Sequence, residues 1–485
     1  MSINKLVLKN FKRFEQLELD LKSKITLLMG PNSSGKSSIV KSILALKQTA
    51  SPSNEHEVLS AQGDYVDLGI YRDFIHDHDV SKKLTIGFDI QANFGIFGGA
   101  PSTPAHLSFT FAYDFATEQA KVYEISVLNN NSPNKTLITL AKKKTRESFS
   151  LKFDPDFGRT LAESVFRRPE AGIEKYVETW SKGLSVTVVD RYQITPVESS
   201  SEQTDSFTTR LPSSVLSQVI SQQLRDFDKG FFYLGPLRRS PSRSYNRTAH
   251  LLSVGPNGEF TPSVLANLYS KAAKERGENR PNTNQIQQLN KWVETIFPGT
   301  SVASKTMEEL VKIEITRGTD QREVITDVGF GFSQVLPILV QLSVMPEDAT
   351  LLIEQPELHL HPSAQTKLAT IFSEAANSNK KVIIETHSEH LLRGLQVCIS
   401  NKTAKKGPLN SRLKSTDVSI KYVPRHPEKV KTIGIDEYGE LTENWPSGFF
   451  DEAFNSSFKL ISNKFEAING RSEKNSTQIK TGERG

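Results

Sequence analysis

The chain has 485 residues, with 60 lysines and arginines against 55 aspartates and glutamates, a net charge of +5, 36% hydrophobic residues and a single cysteine, Cys398. At about 100–200 residues per domain this is material for roughly two to four domains with real cores, which excludes a disordered or collagen-like chain. One cysteine excludes a disulfide framework or a cysteine-built zinc site and fits a reducing, cytoplasmic setting, and +5 over this length is too diffuse to predict nucleic-acid binding. The opening MSINKLVLKNFKRF lacks the apolar stretch of a signal peptide, and no run is long enough to span a membrane, so neither export nor a membrane partner is expected.

In chain order, Lys5–Leu8 and Leu17–Leu21 alternate with period two and Ile25–Met29 is a short apolar run, which predicts two edge-type strands and then a buried one. Ile39, Val40, Ile43, Leu44 and Leu46 have helical spacing behind a glycine-rich turn, so a helix is expected over Ser38–Lys47. Five alternating segments between Leu84 and Phe153, parted by Gly, Pro and Asn turns, predict an antiparallel sheet. The stretch 156–299 reads as mainly helical, and its recurrent prolines exclude a long heptad coil. Strands are expected at Leu310–Ile315 and Glu323–Ile325, and a helix near Ser333. Buried strands are expected at Ala349–Ile353 and Lys381–Glu385, with a helix at Ser363–Ala376 between them. Beyond 400 a Lys/Ser/Asn-rich linker leads to two short strands, an aromatic knot (Trp445, Phe449, Phe450, Phe454) and a polar tail.

Gly30-Pro31-Asn32-Ser33-Ser34-Gly35-Lys36-Ser37 fits the phosphate-binding loop G-x-x-x-x-G-K-[ST] and lies between a strand and a helix, as that motif requires. The loop from Gly30 through Asn32, Ser33, Ser34 and Gly35 to Ser38 turns backbone N–H groups toward phosphate oxygens. Lys36 supplies a point charge to the β- and γ-phosphates, and Ser37 ligates Mg²⁺. Further on, Ser333 opens an apolar helix behind Gly329 and Gly331, an arrangement that offers a hydroxyl and a positive dipole end but is more often a plain helix cap. Glu354 ends an apolar strand, where an α/β nucleotide site places the acid that holds Mg²⁺. His387 follows a third apolar strand, at a level where it can touch the γ-phosphate or the attacking water. His359 and His361, like His387 and His390, have no cysteine near and are read as loop and helix residues, not as a zinc site.

The order and spacing of LVLKNFKRF, GPNSSGKS, GFGFSQVLPIL, LLIEQPELHLHP and IIETHSEHLL resemble the ATP-binding cassette ATPases of the RecF, SMC and OLD type, in their compact bacterial branch without a coiled coil. YLGPLRRSPSRSY and IGIDEYGELTENWPSGFFDEAF look like hallmarks of one bacterial subfamily within it. The resemblance implies an α/β ABC ATPase head, a P-loop mixed sheet with an antiparallel β subdomain and a mainly helical insertion. Residues 1–155 would form the first lobe, 156–299 the insert, 300–400 the second lobe and 401–485 a linker and tail. It implies ATP and Mg²⁺ as cofactors, Glu354 as the Walker B acid and His387 as the switch histidine. Ser333 and Gln334 would meet the γ-phosphate of ATP on the other protomer of a head-to-tail dimer, and Lys12 and Arg13 the α-phosphate.

The departure is Gln355. The family places a glutamate there as general base, and an amide cannot take the proton of water. General-base catalysis is worth about 10²–10⁴-fold, so hydrolysis is expected to be slow unless Glu357 or Glu385 substitutes. A solitary slow ATPase implies a separate effector. No Toprim-like pattern of acids at strand ends follows His390. The leading expectation is therefore the sensor subunit of a bacterial anti-phage system, similar to the ATPases paired with nucleases in PARIS- and Septu-like systems or encoded beside retrons. The alternatives are a RecF-like DNA-repair ATPase and a non-hydrolysing scaffold. Arg238, Arg239, Arg243 and Arg247, and Lys142, Lys143, Lys144 and Arg146, could bind DNA phosphates, but the lysine run reads more readily as a solvated loop and the arginines as a head-to-insert or partner contact, so DNA is not required.

Overall fold

The computed structural model describes residues 3–51, 58–92, 103–130, 136–142, 149–153, 194–196, 213–248, 251–274, 281–318, 321–404, 413–425, 427–443 and 459. The lysine and arginine run at 143–146, most of 156–212 and the aromatic knot lie outside these residues.

Strands β1 (Lys5–Phe11), β2 (Phe14–Asp20) and β3 (Ile25–Met29) precede helix α1 (Lys36–Ala50) and the short helix α2 (Tyr71–Phe74). Then come β4 (Leu84–Ala92), β5 (Thr103–Asp114), β6 (Gln119–Asn129), β7 (Thr136–Lys142), β8 (Phe149–Phe153) and β9 (Ile194–Pro196). Helix α3 (Ser213–Gly230), strands β10 (Phe231–Leu234) and β11 (Tyr245–Asn246), and helices α4 (Thr261–Lys274) and α5 (Pro281–Ile296) follow. The second half contains β12 (Thr300–Met307), β13 (Leu310–Arg317), β14 (Gln321–Val324), α6 (Phe330–Val344), β15 (Thr350–Glu354), α7 (Pro362–Asn377), β16 (Lys381–Glu385), α8 (Glu389–Ala404), β17 (Val418–Tyr422) and β18 (Lys431–Ile433).

Three sheets organise these elements. The site rests on a six-stranded sheet of order β10-β15-β16-β3-β17-β18, parallel throughout except for its last pair. Its inner strands are apolar on both faces because helices or another sheet cover both. Along β3 the alternation sorts the residues: Leu28 joins one core, and Ile25, Leu27 and Met29 join the other. The first core lies between this sheet, α1 and the eight-stranded sheet β2-β1-β4-β5-β6-β7-β8-β9, which is antiparallel apart from its last pair. The second holds α4–α8 and the small antiparallel sheet of β11–β14.

Two of the divisions expected from sequence are crossed by this sheet. β10 falls in the stretch read as a helical insert, yet it pairs in parallel with β15 from Phe231–Thr350 to Leu234–Ile353. β17 falls in the stretch read as a tail, yet it pairs in parallel with β3 from Val418–Ile25 to Tyr422–Met29. Both are short, fully buried strands. Their side chains complete a sheet whose centre is encoded hundreds of residues away, which local composition does not reveal.

Candidate nucleotide-binding site

Three neighbouring parallel strands, β15, β16 and β3, end at one edge of the sheet. Open α/β sheets bind ligands beyond such C-terminal ends. They carry there Glu354, Glu385 and the loop Gly30–Ser37, with Glu354 and Glu385 in register.

Backbone geometry explains the glycines of that loop. Gly30 has φ of 147° and a Cβ there would run into the carbonyl oxygen of Val423, just past β17; Gly35 has φ of 98° and packs under the Arg13 side chain. Asn32 and Ser33 are exposed, Ser34 is buried, and Ser38 N–H bonds back to Gly35 O at 3.0 Å as α1 starts. The Lys36 ammonium lies over the loop, donating to the carbonyls of Gly30 and Pro31 at 2.9 Å each. Burial pushes its pKa down, and Glu385 partly offsets this. Ser37 Oγ donates to Glu385 Oε1 at 3.2 Å.

The acids sit on this floor. Tyr233, on β10, donates its hydroxyl to Glu354 Oε1 at 2.5 Å. Arg238 is 5% exposed and donates to the backbone carbonyl of Glu354 at 3.1 Å and that of Gln355 at 3.5 Å, with burial pulling its pKa down to about 10. Gln355 is left-handed, φ 44°, and its N–H bonds Glu385 O at 2.7 Å. Burial, and then the neighbouring Glu354 carboxylate, push the Glu385 carboxyl upward. Glu357 accepts the His387 N–H at 2.8 Å, and burial raises its pKa. Desolvation, with Lys36 adding to it, lowers that of His387. The two carboxylates expected to substitute for the missing base are thus separated, Glu385 against Ser37 and Glu357 against the histidine.

Three expected site residues are placed differently. Ser333 and Gln334 are 6% and 2% exposed; the Ser333 hydroxyl is turned into its own helix, donating to Phe330 O at 2.7 Å. Helix α6 starts three residues earlier than Ser333, so its first turn exposes Gly329 and Phe330, with half-buried Gly331 beside them, and buries the serine. The Phe330 ring meets His359 edge-on, with centroids 4.9 Å apart, and a Cβ on Gly331 would lie 2.8 Å from His359 O. His361 caps α7, with Nδ1 3.1 Å from Ser363 Oγ. Arg13 also differs: its guanidinium serves backbone carbonyls, Ser34 O and, at 2.8 Å, Pro424 O, which pins the phosphate loop to the segment after β17. Lys12 and Arg13 both line an adjoining cleft of about 550 Å³ with Asp73, His76 and His78.

Sequence reading gave Tyr233 no role at the site and gave Arg238 only a place in an arginine cluster. Their signal was the run Phe231–Leu234, four large apolar residues ending at Gly235-Pro236, which is a short buried strand ahead of a turn. Of the arginine cluster, Arg238 is engaged with the Glu354 and Gln355 carbonyls and Arg243 with Asp327 at 3.3 Å, while Arg239 and Arg247 are exposed.

With this geometry in view, the likenesses of the chain are informative. Residues 1–157 match the family described as "AAA ATPase domain", and residues 197–393 match "AAA domain, putative AbiEii toxin, Type IV TA system". Both matched families are described as AAA domains. Residues 413–460 match a family of unknown function, DUF3696. The chain is 34% identical to the DNA replication and repair protein RecF of Staphylococcus epidermidis over 70 residues, 14% of this chain and 19% of that protein. It is 28% identical to the Old nuclease of Escherichia phage P2 over 172 residues, 30% of this chain and 29% of the nuclease. The chain thus spans less than a third of the length of these relatives. Among solved structures, an Smc head bound to the C-terminal winged-helix domain of ScpA aligns over 90% of this chain and 98% of its own, at 11% identity and a TM-score of 0.43. No helix among the described residues is long and apolar enough to cross a membrane.

Proposed function

We propose that the chain is an ATP- and Mg²⁺-binding ATPase of the RecF, SMC and OLD class that hydrolyses slowly and works as a switch. The observation that carries this is the convergence of Lys36, Ser37, Glu354 and Glu385 at one sheet edge, with Gln355 in the position where a general base would stand. Lys36 would neutralise the β- and γ-phosphates, Ser37 and Glu354 would hold Mg²⁺, and His387 would sense the γ-phosphate. Without a carboxylate at 355, the ATP-bound state is long-lived. In that state two heads close head to tail, and the exposed start of α6 (Gly329, Phe330) meets the partner's nucleotide through its free N–H groups.

Likeness to the Old nuclease and to the family described with the AbiEii toxin supports a role as sensor subunit in bacterial anti-phage defence, acting on a separate effector such as a nuclease. Likeness to RecF favours a second reading, a DNA-repair ATPase, marked by salt-sensitive DNA binding and DNA-stimulated turnover.

The test is fluorescent-ATP binding and turnover by the purified chain. Lys36→Ala should weaken binding at least tenfold, about 1.4 kcal/mol. Gln355→Glu should raise kcat by about 10²-fold or more. Brisk turnover by the wild type, unchanged in Gln355→Glu, would overturn the switch; failure of the wild type to bind ATP would overturn the reading entirely.

A further inference from the structure

Glu354 and Glu385 are register partners on adjacent parallel strands, so both acids stand at the same level of the sheet edge. Glu385 is 3% exposed. Its Oε1 receives the Ser37 hydroxyl at 3.2 Å, and its Oε2 is buried without a hydrogen-bond partner. Across from it, Tyr233 has already taken up Glu354 Oε1. A buried carboxylate oxygen left unsatisfied beside a second carboxylate is costly, and either a shared proton or a cation relieves it.

The donors around that gap are all hard oxygens: two carboxylates and a serine hydroxyl at the end of the phosphate loop. This is the ligand chemistry of Mg²⁺ and Mn²⁺ and not of softer metals. Two carboxylates and a hydroxyl do not fill an octahedron. The phosphate oxygens of a nucleotide and water would supply the rest.

We propose that Glu385 is a second carboxylate ligand of the divalent-cation site formed by Ser37 and Glu354, so that the cation is held between two acids. This rests on the nucleotide reading above and extends it. It gives Glu385 a role distinct from that of a base: engaged with the cation, it is not free to accept the proton of the attacking water, in keeping with slow turnover.

The test uses the full chain with Mn²⁺ as an EPR-visible probe and a non-hydrolysable ATP analogue. Glu385→Gln should weaken Mn²⁺ binding in the ternary complex by about 10–100-fold, as Glu354→Gln should, a loss well beyond any it causes in analogue binding in EDTA. Glu385→Asp, which keeps the charge but shortens the reach, should fall between. In EDTA, Glu385→Gln should melt at or above the wild-type temperature, because it removes one of two facing charges. Mn²⁺ affinity within twofold of wild type in Glu385→Gln, or in Glu385→Asp if the glutamine variant does not fold, overturns this assignment alone. A wild-type chain that binds no ATP analogue overturns the nucleotide reading and this assignment with it.

Discussion

The Tyr233 hydroxyl donates to Glu354 Oε1 at 2.5 Å across 121 positions of sequence, and so ties the strand entering the sheet from one half of the chain to the acid that ends a strand from the other. Burial, and after it the Glu354 charge, push the phenol's pKa upward, so it stays protonated and a donor at neutral pH. The same phenyl face lies near Tyr65, with centroids 6.3 Å apart, and Lys47 sits over Tyr65 while pairing with Asp228 at the end of α3. Glu354 is therefore braced from α3 and β10.

Tyr233→Phe removes one oxygen and keeps the ring in its cavity. A hydrogen bond to a charged group contributes about 1.5–3 kcal/mol, so Glu354 loses orientation more than the fold loses stability. The Mg²⁺ midpoint for nucleotide binding is expected to rise about tenfold, within the range for groups that orient metal ligands. Binding in EDTA and the melting temperature should change little. Arg238→Ala is expected to be worse on stability, because it leaves the Glu354 and Gln355 carbonyls without their buried donor. An unchanged Mg²⁺ midpoint in Tyr233→Phe would show that Glu354 needs no brace.

Much of this was legible in the residues. The loop Gly30–Ser37 stands out because the phosphate-binding motif it fits constrains spacing, and Ile25–Met29, Ala349–Ile353 and Lys381–Glu385 read as buried strands because both faces are apolar. What stayed hidden depends on distance or phase. β10 and β17 are four and five residues long and gain identity only from their parallel partners. The burial of Ser333 depends on where α6 begins; a start at Phe330 instead of Ser333 rotates the serine by three residues into the core. Arg13 looks like a phosphate ligand in sequence, but only the fold shows that Ser34 O and Pro424 O claim it.

Phe330 is 46% exposed at the start of α6, held edge-on by His359. If this turn is the surface that meets the partner head, a charge there blocks closure without touching the phosphate loop. Phe330→Arg is expected to abolish ATP-dependent dimerisation by light scattering and leave monomer affinity for ATP within about threefold, under 1 kcal/mol. Dimerisation that survives Phe330→Arg would place the contact on another face.

Lys381 gives a pH signature remote from the phosphates. It opens β16, donates to Ile3 O at 2.7 Å and Asn4 Oδ1 at 3.0 Å, and so fastens the chain ahead of β1 to the central sheet. Burial pulls its pKa from 10.5 down to about 8, against the opposing pull of Asp20. Between those two values the unfolded chain binds a proton at this site and the folded chain does not. Stability from this residue is therefore lost below about pH 8 and recovered toward 10.5. Urea denaturation should show the wild type gaining up to about 1.4 kcal/mol per pH unit from this residue between pH 8 and 10. Lys380 and Lys421, also pulled down by burial, add slope of the same sign, so the difference between wild type and Lys381→Met isolates the contribution. The methionine variant should be less stable at every pH through loss of the ties to Ile3 and Asn4, and its pH slope should be shallower. Parallel slopes in the two proteins would mean that Lys381 keeps its proton in the folded sheet.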